Sequence, residues 1–188
     1  MADGPWLVVG LGNAGERFSH NRHNVGYQVV DELAAGVGGK FSAHRSRAQV
    51  LEGRLPAVGG RPGPRIVLAK PAVFMNESGG PVAGLVGFFR IPVGQVLVVH
   101  DELDLPFGEV KLKQGGGEGG HNGLRSVSRS LGTRDYGRVR LGVGRPPGRM
   151  DPADYVLRDV GAKERPLWQL MVTEAADLVQ ETVTADKT

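Results

Sequence analysis

The segment Gly115–Gly123, GGGEGGHNG, holds six glycines in nine residues and sets His121 beside Asn122. Glycine loses more conformational freedom on folding than any other residue. A folded chain therefore keeps such a run where backbone must turn sharply or lie close to a ligand. The residues after it, Leu124 to Leu131, read as a helix. His121 and Asn122 then fall where a loop enters a helix, and the free N–H groups of a helix start suit anions. The run lacks the Lys-Ser/Thr ending of a phosphate-binding P-loop, which excludes that motif. Three short polar motifs lie upstream: LGNAG at 11–15, RHNVG at 22–26 and FMNESG at 74–79.

Glycine makes up 30 of the 188 residues, more than twice the typical share of about 7%. Apolar runs separate the glycines, so the excess predicts tight loops around a scaffold rather than disorder. The length fits one compact domain, 1–188, with a frayed tail from about Ala185. The net charge is only +3, but it is unevenly spread. From Glu109 to Met150 nine Lys/Arg stand against three Asp/Glu; from Lys163 onward three stand against five. The basic middle suits an anionic partner such as RNA, with a solvated surface as the competing reading. There is no cysteine, which excludes disulfides, a thiol nucleophile and Cys-ligated zinc, and fits a reducing cytoplasm. The first residues have no basic n-region, and their apolar stretch is too short for a signal peptide or membrane span.

Periodicity predicts strands at Trp6–Val9, Ala48–Leu55, Ile66–Ala69, Val96–Val99, Glu109–Lys113 and Arg138–Val143. The second and third read as a hairpin-like pair through the Pro/Gly-rich turn Gly59–Pro64. Helical spacing is found over Val25–Ala35 and in a closing helix through Leu167, Leu170, Met171, Ala175, Leu178 and Val179, and Pro81–Phe89 reads as a helix with Pro81 near its first turn. Arg145–Pro152 reads as a loop. The alternation predicts an α/β single layered domain, a twisted mixed β-sheet flanked by helices. Asn13, Asn76, Asp101 and Asn122 each follow or end a strand. In open α/β sheets ligands bind outside the carboxyl ends of strands, so these four are expected to converge on one cleft.

The chemistry-bearing residues narrow the function. His20 and His23 are three apart, but no HExxH pattern supports zinc. His100, Asp101, Glu102 and Asp104 offer oxygen and nitrogen donors for Mg²⁺, though Leu103 and Leu105 break up the cluster. There is no GxSxG elbow. What remains is histidine, aspartate and several asparagines. Histidine is the natural base near neutral pH, and a carboxylate on its other ring nitrogen fixes the tautomer. Asparagine amides bind carbonyls without titrating and donate to an oxyanion. Two readings stay open on the residues alone: a base-activated water attacking an acyl carbonyl, and a polar binding cleft without catalysis.

The segments VVGLGNAGERF (8–18), RHNVGY (22–27), KPAVFMNESG (70–79), FFRI (88–91), HDELDLPFGEVKLKQGGGEGGHNGLRS (100–126) and RVRLGVGRP (138–146) together carry a resemblance. In that order the chain closely resembles bacterial-type peptidyl-tRNA hydrolases over residues 6–157. The resemblance implies hydrolysis of the ester between peptide and tRNA, which recycles tRNA from prematurely released peptides. It implies His23 as the base that activates water, Asp101 as the residue that orients it, and Asn13 as a third catalytic group. Asn76 and Asn122 match substrate-positioning asparagines. Met75 and His121 match positions lining the same cleft, and Phe18 an aromatic position where tyrosine is frequent. Lys113 and Arg140 match basic positions associated with the tRNA 5′-phosphate, with Arg138 a further candidate. Asn24 reads as a helix cap and His20 as a surface residue. Ala14 stands where proline is common in the family. The resemblance further implies no metal or organic cofactor, no obligate protein partner, and a cytoplasmic monomer.

Overall fold

In this computed structural model of the chain, residues 4–185 are described. The end of the expected tail, 186–188, lies outside them. Seven strands form one sheet: β1 (Trp6–Gly10), β2 (Ser42–His44), β3 (Ala48–Arg54), β4 (Arg65–Pro71), β5 (Val96–Glu102), β6 (Val110–Gln114) and β7 (Gly137–Gly142). Their spatial order is β2-β3-β4-β1-β5-β7-β6. The four inner strands β4, β1, β5 and β7 are parallel, while β2, β3 and β6 are added antiparallel at the two sides. The expected mixed sheet and the β3–β4 hairpin are both present.

Among the described residues five α-helices flank the sheet: α1 (Val25–Val37), α2 (Gly79–Phe89), α3 (Asn122–Leu131), α4 (Pro152–Val156) and α5 (Arg165–Ala185). The central strands bury both faces, so they read as continuous apolar runs rather than alternating ones. Alternate residues still divide the core in two. Trp6, Val8, Leu97, Val99, Val139 and Leu141 pack against α1 and α5. Leu7, Val9, Val96 and Val98 pack against α2 and α3. β1 and β5 are buried throughout, which places His100, Asp101 and Glu102 at the end of a strand in the middle of the molecule.

Some boundaries differ from the sequence reading. β2 was not expected: three residues of Ser-Ala-His carry almost no strand signal, and pairing with β3 alone defines it. α4 begins where a loop was read. Its signals are present in Asp151, whose carboxylate accepts from Ala153 N at 3.0 Å, and in Pro152 at the first helical position.

The approach of α1 to the sheet depends on glycine. A Cβ at Gly26 would lie 2.4 Å from Val99 O and 2.5 Å from Leu11 N, both main chain and unable to yield. We predict that Gly26→Ala lowers stability by at least about 2 kcal/mol through overpacking. The measurement is the urea midpoint at unchanged slope; an unmoved midpoint would contradict the constraint.

Candidate active site

Asp101 lies near the carboxyl end of β5, with its side chain 2% exposed. Each of its two oxygens meets a histidine. Oδ2 is 2.8 Å from His23 Nδ1, and Oδ1 is 2.9 Å from His121 Nε2. His23 comes from the single 3₁₀ turn Arg22–Asn24 that leads into α1, on one face of the sheet. His121 caps α3 on the other face, accepting from Leu124 N through Nδ1 at 3.2 Å. That contact fixes His121 as the tautomer carrying its proton on Nε2, which donates to Asp101. His23 likewise donates through Nδ1, leaving its Nε2 as a free lone pair.

The electrostatics follow from this geometry. Burial opposes the charge on Asp101, but His23 and His121 outweigh it and hold the carboxyl well below the usual carboxylate range. Burial also works to lower the His23 pKa, yet the charge and hydrogen bond of Asp101 prevail and raise it above the ordinary value of 6.5.

His23, Asp101 and His121 border a cleft of about 330 Å³ that also touches Asn13, Met75, Asn76 and Asn122. The lining also includes an apolar set, Leu103, Pro152, Ala153, Val156 and Leu157. Asn13 is buried and fully directed: its Oδ1 accepts from Met75 N at 2.6 Å, which leaves the Nδ2 group without a protein partner among the described residues. Asn24 was read as a helix cap, but it makes no capping bond. Its amide instead brackets the Asn13 main chain, accepting from Asn13 N at 2.8 Å and donating to Asn13 O at 3.0 Å. Nothing in RHN distinguishes the two uses before the chain is folded. Met75 lines the cleft and also belongs to the core beneath α2 and α3. Phe18 is not among the cleft-lining residues; it meets Phe74 edge-on, with ring centroids 6.3 Å apart.

Asn122 reaches the cleft by a route the strand-end rule does not give. β6 runs antiparallel to β7, so Gln114 lies opposite Gly137, level with Leu97 and away from Asp101. The glycine loop climbs back roughly 13 Å along the sheet, four residues at about 3.3 Å each. Gly115, Gly116, Gly119 and Gly120 make that return with φ of 65°, 98°, 60° and 81°, values that side-chain-bearing residues rarely adopt. Arg138 anchors the loop, so its reading as a phosphate contact is corrected. It is 1% exposed and its guanidinium donates to Gly116 O, Gly117 O and Arg134 O. Lys113 and Arg140 share that face of the β6–β7 edge, outside the cleft lining. Lys113 is half-buried and makes no ion pair among the described residues. Arg140 is held by the Glu102 carboxylate at 2.8 Å.

Two metal readings from the sequence are not assembled. His20 is exposed, away from the cleft. His100 donates through Nδ1 to its neighbour's carbonyl, Asp101 O, and Asp104 pairs with Arg145. The one grouping of metal-type donors among the described residues is His23, Asp101 and His121. There the histidine atoms facing the carboxylate are its hydrogen-bond donors at direct contact distance, so they are committed to each other.

A sequence profile described as peptidyl-tRNA hydrolase matches residues 7–188. The chain belongs to the peptidyl-tRNA hydrolase family. It is 62% identical over 175 residues to the peptidyl-tRNA hydrolase of Paenarthrobacter aurescens, covering 93% of this chain and 88% of that one. The corresponding protein of Kineococcus radiotolerans is 59% identical over 179 residues, covering 95% and 90%. The crystal structure of peptidyl-tRNA hydrolase from Acinetobacter baumannii superimposes with a TM-score of 0.87 at 31% identity, covering 99% of this chain and 91% of that one.

A base at His23 must be neutral to take a proton, so activity rises as pH rises through its pKa. The acid limb of kcat is expected above pH 6.5, the ordinary histidine value. Asp101→Asn removes the anion that raises this pKa, and it can accept from only one of the two histidines. It should move the limb to lower pH and cut kcat by roughly 100-fold or more, with KM little changed. A raised KM at native kcat would reassign Asp101 to binding.

Proposed function

We propose that this chain hydrolyses the ester bond between peptide and tRNA in peptidyl-tRNA, with His23 activating water and no covalent intermediate. The observation that carries the reading is the free Nε2 of a histidine whose Nδ1–H is committed to a buried carboxylate, beside a cleft bordered by three asparagines. No serine or cysteine accompanies His23 among the cleft residues, so water is the available nucleophile. His23 Nε2 takes the water proton as oxygen attacks the acyl carbonyl. Asp101 stabilises the imidazolium that forms. The unpaired Nδ2 group of Asn13 is suited to donate to the oxyanion, and Asn76 and Asn122 to orient the substrate. Collapse of the tetrahedral species returns the proton from His23 to the leaving ribose oxygen. The apolar lining of Leu103, Val156 and Leu157 suits the peptide side.

Lys113 and Arg140 fit the phosphate end of the tRNA, at the exposed edge of the basic β6–β7 pair. Among the described residues no helix is long and apolar enough to cross a membrane. We read the enzyme as a cytoplasmic monomer that needs no metal and no organic cofactor.

The test is release of tRNA from a peptidyl-tRNA by the native chain and by His23→Ala, with EDTA present throughout. Native cleavage that falls by roughly 1,000-fold or more in the variant is expected. A folded native chain that binds tRNA without cleaving it would make the protein an RNA-binding module. The phosphate contact has its own reading: Lys113→Ala should flatten the salt dependence of tRNA binding by about one unit of slope, and an unchanged slope would remove Lys113 from the interface.

A further inference from the structure

His100 is absent from the proposed chemistry, yet it adjoins the catalytic carboxylate in sequence and the His121 ring in space. It is 1% exposed. Its Nδ1–H donates to Asp101 O at 2.7 Å, and its ring meets His121 edge-on, centroids 5.1 Å apart at 71°. Its Nε2 is buried and has no hydrogen-bond partner among the described residues.

A residue that merely filled this space would not carry that nitrogen. A buried polar atom without a partner is destabilising, whereas an apolar side chain would fill the site at no such cost. The favourable contact an apolar replacement lacks is the Nδ1–H bonded to the Asp101 carbonyl. We propose that His100 is a positioning residue: it holds the Asp101 main chain and braces the His121 ring, so that both carboxylate oxygens stay aligned with their two histidines. The proposal rests on the hydrolase reading above.

The surroundings keep this brace from changing with pH. Burial first, and then the adjacent His121, push the His100 pKa down to about 3, with the Arg138 guanidinium acting in the same direction. Asp101 acts against them. On the neighbouring strand Arg140 lies opposite His100 in register, but its charge is matched by Glu102. His100 therefore stays neutral, with its proton on Nδ1, across the range in which His23 titrates.

The test compares His100→Asn with His100→Leu. The two share the same branched four-atom side-chain skeleton, and only Asn retains an N–H donor. Three quantities are read: kcat and KM on peptidyl-tRNA, and the His23 pKa from its imidazole NMR signals without substrate. In His100→Leu we expect kcat to fall about 10- to 100-fold with KM within about twofold, as for a misplaced catalytic group. The His23 pKa should move back toward 6.5 as its carboxylate loses alignment. His100→Asn should recover most of kcat and most of the pKa. Native kcat and native His23 titration in His100→Leu would overturn the proposal, as would equal impairment of the two variants. Should His100→Leu not fold, His100→Phe, which keeps an aromatic ring, though a larger one, without the donor, takes its place. Because the titration needs no substrate, it stands or falls separately from the hydrolase reading.

Discussion

One carboxylate shared by two histidines organises this molecule. Asp101 is buried at the end of the central parallel strands, a position that would be strongly unfavourable for an unpaired charge. It is tolerated because α1 and α3, packed on opposite faces of the sheet, are each preceded by a histidine aimed at one of its oxygens. The two helical layers therefore share one carboxylate as a common polar contact. The same bonds leave His23 with one lone pair facing the cleft and fix the tautomer of His121. Moving either helix would strand the charge as well as displace the histidine beside it.

The glycine-rich loop exists to satisfy that arrangement. β6 leaves the sheet at the wrong end, and the chain must return to the level of Asp101 before α3 can start. A loop lying close along the sheet presents main-chain carbonyls that need donors. Arg138 supplies them from β7, and so is consumed in structure. Asn24 does comparable work on the other side of the cleft, bracketing the main chain of Asn13 so that the amide of Asn13 has one direction to point. Both residues support groups that touch the cleft without touching it themselves.

Much of this was legible beforehand for identifiable reasons. The strands β1, β4 and β5 are dense apolar runs, and α1 and α5 have clear apolar faces. The motifs holding Asn13, His23, Met75, Asn76, Asp101, His121 and Asn122 pointed to one cleft, and all seven border it. The readings that changed concern polar side chains with several partners open to them. Arg138 looked like its neighbour Arg140 in an alternating strand, yet one is buried under the loop while the other pairs with Glu102. Asn24 occupies a cap position, but its nearest available main chain belongs to Asn13. Phe18 falls inside a matched motif and meets Phe74 edge-on instead of bordering the cleft.

The sequence by itself determined the layered α/β class, the hairpin at β3–β4, the histidine, aspartate and asparagine set of the cleft, and the family. These depend on periodicity, glycine placement and local motifs, which are properties of neighbours along the chain. The tertiary structure alone decided that Asp101 serves two histidines, that β6 runs antiparallel so the glycine loop must climb back, and that Arg138, Asn24 and His100 face inward. Each of those depends on which distant groups meet in three dimensions. A buried polar atom takes whichever partner the packed layers bring within hydrogen-bond reach, and that choice is written in the fold.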